Sequence, residues 1–87
     1  MASSISQIKQ KVDQIGQHAT STANQLTQLA SNLEKNMAAV NAAIGGTSSG
    51  EDKEMITAFQ QASKAVRDAA TSLQSAGSAA KDWASKA

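Results

Sequence analysis

Side-chain chemistry needs a reactive group and neighbours that activate it, and this chain supplies few of either. His18 is the one histidine, and there is no cysteine. A transition-metal site needs several His, Cys or carboxylate ligands converging on one point. Asp13, five residues before His18, is poorly placed to share a helix face with it. Glu51, Asp52 and Glu54 form a carboxylate cluster, but without the alternating oxygen ligands of a calcium loop. Gly45-Gly46, followed by Gly50 at a helix start, has the glycines of a phosphate cradle. It lacks the Gly-Lys-Ser/Thr run and the preceding strand that would complete one. Lys53, Lys64 and Arg67 are scattered, and a net charge of +1 provides no basic footprint for nucleic acid. The expectation is a protein with no catalytic residues, no metal, no cofactor and no small-molecule substrate.

The elements that hold these residues are clearer than any chemistry. Ile5, Val12, Ala19, Leu26, Leu33 and Val40 recur every seven residues, with Ile8, Ile15, Thr22 and Leu29 interleaved. After a Gly/Ser-rich break, Phe59, Val66, Leu73 and Ala80 form one series, and Met55, Ala62, Ala69, Ala76 and Trp83 another. Each stretch reads as an amphipathic helix with one narrow apolar seam. The fold class expected is all-α, an antiparallel two-helix hairpin within one small domain of 87 residues.

Helix 1 should run from about Ser4 to Ile44, roughly 60 Å at 1.5 Å per residue. Gly16 and the run Thr20-Ser21-Thr22 are its weak points. Late in this helix Asn36 takes an expected apolar slot, and Met37 and Ile44 follow one position later, the drift of a straight helix against a strict heptad. The turn spans residues 45–50, with Gly45, Gly46 and Gly50 free to take unusual backbone angles. Helix 2 should span about 51–86, capped by Ser48 with Glu51 or by Ser49 with Asp52. Its early carboxylates and its late Lys81 and Lys86 complement the helix dipole.

Folding at the turn brings Val40 near Met55, Met37 near Phe59 and Leu29 near Val66. The helix–helix seam or partner interface expected from this register comprises Ile15, Leu26, Leu29, Leu33, Met37, Val40 and Ile44 on helix 1. Met55, Ile56, Phe59, Val66, Leu73 and Trp83 complete it on helix 2, with Trp83 clamping the open end. Large residues would meet a row of alanines, which permits close approach. No Asp, Glu, Lys or Arg occurs from Gln14 to Leu33 or from Ala69 to Ala80. Such faces are cheaper to desolvate than charged ones, and two helices alone leave part of a seam wet. A second hairpin would cover it in a four-helix bundle. The implied partner is the protein itself or a related small helical protein. No apolar run is long enough to cross a membrane.

A helical hairpin of this length, broken at its midpoint by a glycine-containing turn, resembles the WXG-type family of small type VII secretion substrates. Ile44-Gly45-Gly46 stands where that family carries its Trp-x-Gly motif, with Ile in place of Trp. The family's export signal, a Tyr followed four residues on by an acid, has no counterpart because the chain lacks Tyr. Phe59 with Ser63 does not match the Phe-x-x-x-Asp variant either. The resemblance implies a non-enzymatic protein that dimerises or acts as targeting partner of a secreted effector, with the partner supplying the export signal. Met1-Ala2-Ser3-Ser4 leads directly into the heptads. The expected route is therefore from the cytoplasm to the outside without a cleaved signal peptide. The alternative is a structural subunit of a coiled-coil or needle-like helical assembly.

Overall fold

The computed structural model describes residues 2–44 and 50–86, and these are entirely helical. α1 spans Ala2–Ile44 and α2 spans Gly50–Lys86. They pack side by side as an antiparallel pair, 68 × 16 × 14 Å overall. The Gly45-Gly46 turn and the caps at Ser48 and Ser49 lie outside the described residues. Gly50, expected in the turn, is the first residue of α2, and α1 starts slightly before Ser4. Both helices run unbroken, as expected for a chain with no proline. The suspected weak stretch at Thr20-Ser21-Thr22 is helical throughout. There the Thr20 hydroxyl donates to the Gly16 carbonyl at 3.1 Å, satisfying its polar group within the helix.

The centre of the interface is made of small residues. Ala23, Ala30, Ala70 and Ser63 are buried, together with Gly16 and Gly77. Each helix thus presents a seven-residue row, 16/23/30 on α1 and 63/70/77 on α2. Among the described residues no large side chain is fully buried. Val12, Leu26, Leu33, Val40, Phe59, Val66 and Leu73 flank these rows half-buried.

Gly16 and Gly77 are the point of closest approach. A Cβ on Gly16 would lie 2.9 Å from the Gly77 carbonyl oxygen, and a Cβ on Gly77 would lie 2.8 Å from the Gly16 oxygen and 2.7 Å from Thr20 Oγ1. Backbone atoms are the obstacle, so no rotamer change relieves the clash. The helix cost of Gly16 is therefore offset by a packing role.

Gly77→Ala should gain about 1 kcal/mol of helix propensity yet lose about 1–3 kcal/mol to overpacking. The expected net result is a lower melting midpoint, by several degrees at about 4–8 °C per kcal/mol. Gly50→Ala is the control, because its added Cβ meets nothing within 4 Å. Urea or thermal melts of the two variants check this, and a raised midpoint for Gly77→Ala would contradict the close approach.

Candidate functional site

The two long faces of the hairpin differ in chemistry. Residues four positions after a seam residue on either helix emerge on one side, and there Glu34 of α1 meets α2. Arg67 Nε donates to Glu34 Oε1 at 2.8 Å and Nη2 donates to Oε2 at 2.9 Å. The Ser63 hydroxyl donates to Glu34 Oε1 at 3.0 Å. This bidentate ion pair ties the helices at a fixed register. Its hydrogen bonds to Arg67, then that from Ser63, hold the Glu34 carboxyl below the usual carboxylate range, and those same bonds to Glu34 hold Arg67 above its usual value. Glu34, Met37, Gln60, Ser63, Lys64, Arg67 and Asp68 line a shallow hollow on this side. Toward the open end the same side carries Lys9, Asp13 and Lys81. Among the described residues, no three His, Cys, Asp or Glu side chains come together as a metal would require.

The opposite side is apolar. It begins with the half-buried flanks, Val12, Leu26, Leu33 and Val40 against Phe59, Val66 and Leu73. Beyond these flanks, about 100° round each helix from the seam, lies the position just before each seam residue. On α1 that row carries Ile8, Ile15, Thr22 and Leu29, and on α2 it carries Met55, Ala62, Ala69, Ala76 and Trp83. All of these are exposed, with Ile15 at 59%, Ile8 at 53%, Trp83 at 48% and Leu29 at 45%. Leu33, Ala58, Phe59 and Ala62 line an apolar hollow of about 200 Å³ on the same side. The chain's accessible surface is 6125 Å². A compact monomer of its 8.9 kDa would expose about 4,800 Å².

These placements divide the expected seam. Leu26, Leu33, Met37, Val40, Ile44, Ile56, Phe59, Val66 and Leu73 lie along it, partly buried. Ile15, Leu29, Met55 and Trp83 do not. They belong to rows displaced by one residue from the true seam, and Trp83 lies nearly half exposed rather than clamping the open end. The physical reason is the close approach of Gly16 to Gly77, around which only small residues fit between the helix axes, from Gly16 to Ala30 and from Ser63 to Gly77. Ile5, like Ile8, is wet at the open end, at 57%. His18 is exposed on α1 beside Gln17, Ser21, Thr22 and Gln25, around a polar depression.

The residues missed by sequence reasoning are the small ones, Gly16, Ala23, Ala30, Ser63, Ala70 and Gly77, and the Glu34–Arg67 pair. The small residues also recur every seven positions, a signal as regular as that of the large rows but outweighed by hydrophobicity. Glu34 and Arg67 lie 33 positions apart and meet only through the hairpin register. No protein-family model, curated protein or solved structure matches this chain.

Because the Glu34 pKa is lowered in the fold, its contribution to stability is complete above the ordinary glutamate value and lost as pH falls through the lowered one. Melting midpoints at low salt, between about pH 2 and pH 6, should therefore fall more steeply for the parent protein than for Glu34→Gln. Equal slopes would show that the pair does not couple to folding.

Proposed function

We propose that this protein is a non-enzymatic pairing module of the type VII secretion kind. It acts by docking its apolar face on a second helical hairpin, as a dimer or as the targeting partner of a secreted effector. The observation that carries this proposal is the one-sided exposure of Ile8, Ile15, Leu29, Met55 and Trp83 along an otherwise uncharged face. Exposed apolar patches of more than a few hundred Å² are unusual on monomers and mark interaction surfaces.

The energetics favour assembly. Ordering a residue costs on the order of 1–2 kcal/mol of backbone entropy. A large apolar side chain returns roughly 1.5–3 kcal/mol only when fully buried. In the lone hairpin no large side chain reaches that state. A second hairpin on the apolar face would complete the burial and produce a four-helix bundle. None of the described helices is long and apolar enough to cross a membrane. The glycine break near the middle of the sequence and the length of the two helices support a reading as a type VII secretion protein, with export depending on a signal supplied by the partner.

Sedimentation at micromolar concentration, alone and with candidate hairpin partners encoded nearby, tests the pairing. The expected result is a defined complex that Leu29→Glu abolishes. Its helical circular dichroism should survive, because Leu29 is already 45% exposed in the hairpin. A strictly monomeric protein with a sharp melt and no partner would refute pairing. Continued appearance in the culture medium after loss of the host's type VII ATPase would refute the export assignment.

A further inference from the structure

The outer apolar row of α1 is interrupted at one level. Ile8, Ile15 and Leu29 follow a seven-residue spacing, and the position between Ile15 and Leu29 is Thr22, exposed like its neighbours. Its hydroxyl is uncommitted. Thr20, Thr27 and Thr71 each donate to the carbonyl four residues earlier, at 3.1 Å. The Thr22 hydroxyl makes no hydrogen bond among the described residues. Thr22 shares a depression with Gln17, His18, Ser21 and Gln25. These side chains supply amide, hydroxyl and imidazole groups and no carboxylate, ammonium or guanidinium. At 100° per residue, His18 and Gln25 lie beside Thr22 on the rim of the apolar face. The face therefore carries a polar notch about 10 Å along the helix from both Ile15 and Leu29, seven residues at about 1.5 Å each.

Resting on the pairing function above, we infer that Thr22 selects the axial register of whatever hairpin docks on this face. The notch receives a neutral amide or hydroxyl side chain from the facing helix. An apolar side chain placed there would strand the Thr22 hydroxyl away from water and without a partner. A charged side chain would lose its hydration with no opposite charge in the notch. A neutral hydrogen-bonding side chain meets neither penalty. Thr22 is thus a positioning and specificity residue, while Ile8, Ile15 and Leu29 supply the burial.

The row itself creates the need for such a residue. Apolar side chains at a strict seven-residue repeat pack almost as well after a slide of one repeat, which brings Ile15 to the level Ile8 had held. On α2, Ala62, Ala69 and Ala76 likewise present the same surface at successive levels, with Met55 and Trp83 only at the ends. Apolar contacts alone therefore leave several registers close in energy. Thr22 separates them, because a slide carries the partner's polar group away and sets an apolar one on the hydroxyl. A single polar residue within an apolar seam is the best-attested way for paired helices to specify register. Glu34 and Arg67 do not serve here, since they fix the register within one hairpin and on its other side.

Paramagnetic broadening between two copies of the chain reads the register directly, with the second copy as the probe hairpin. The chain has no cysteine, so a nitroxide at Ser4→Cys, exposed at the open end, labels one copy. An equal amount of unlabelled, isotope-enriched copy is observed by NMR. In the parent protein one contiguous patch of the observed copy should broaden. Thr22→Val keeps the side-chain shape without the hydroxyl, and should add broadened signals displaced by about one repeat, about 10 Å. Thr22→Ser restores a hydroxyl and should keep the single patch. Helical circular dichroism should be equal in all three, because the position is exposed in the hairpin. A single undisplaced patch in Thr22→Val, at the parent's affinity, would overturn the register role and leave pairing intact. Several patches in the parent would overturn it equally. A parent that broadens no signal in the second copy would overturn pairing with that copy, and this inference with it.

Discussion

The contact between the Gly16 and Gly77 backbones governs this molecule. With each carbonyl oxygen lying 2.8–2.9 Å from where the other residue's Cβ would be, the helices approach here too closely for any side chain at these two positions. Ala23 and Ala30 of α1 and Ser63 and Ala70 of α2 continue that condition toward the turn. Close approach recovers many small dispersion contacts along both helices. From Gly16 to Ala30 and along the facing stretch Ser63–Gly77 it keeps large side chains out of the centre and on the flanks, whereas Met37, Ile44 and Ile56 take the central row toward the turn. A hairpin built on leucines would have a thicker core and a less apolar outside.

That constraint makes the two faces unequal. Rotating each helix by one residue, to bring the small row inward, turns Ile8, Ile15, Leu29, Met55 and Trp83 outward on one side. The other side holds Glu34, Ser63 and Arg67, whose short cross-helix bonds fix the axial register. The pair is half-exposed and accessible to salt, so its role is positional more than energetic. The surface pairs Lys64–Asp68 and Asp82–Lys86 stay within α2 and add little. Register is thus fixed on the polar side, while the apolar side stays exposed in the hairpin.

Much of the hairpin was legible in the chain. Heptads broken at Gly45-Gly46 and Gly50, with no proline in either half, dictate two helices and their antiparallel packing. The flanking series through Leu26, Leu33, Phe59, Val66 and Leu73 was also legible, because it borders the seam whichever neighbouring row closes it. The inner row was not. Gly16/Ala23/Ala30 and Ile15/Thr22/Leu29 share the same period one residue apart, and a hydrophobicity argument chooses the larger residues.

Periodicity and turn composition are properties of the sequence, and by themselves they determined an all-α hairpin with a long uncharged stretch on each helix. Which row faces inward is a property of the distance between two helices, set by backbone atoms at Gly16 and Gly77 that belong to segments sixty residues apart. The same is true of the Glu34–Arg67 tie. Only when both helices are present does Ile15 or Leu29 become surface rather than core. A seven-residue repeat records that a row is regular, and the tertiary structure decides which of two neighbouring rows its own chain buries.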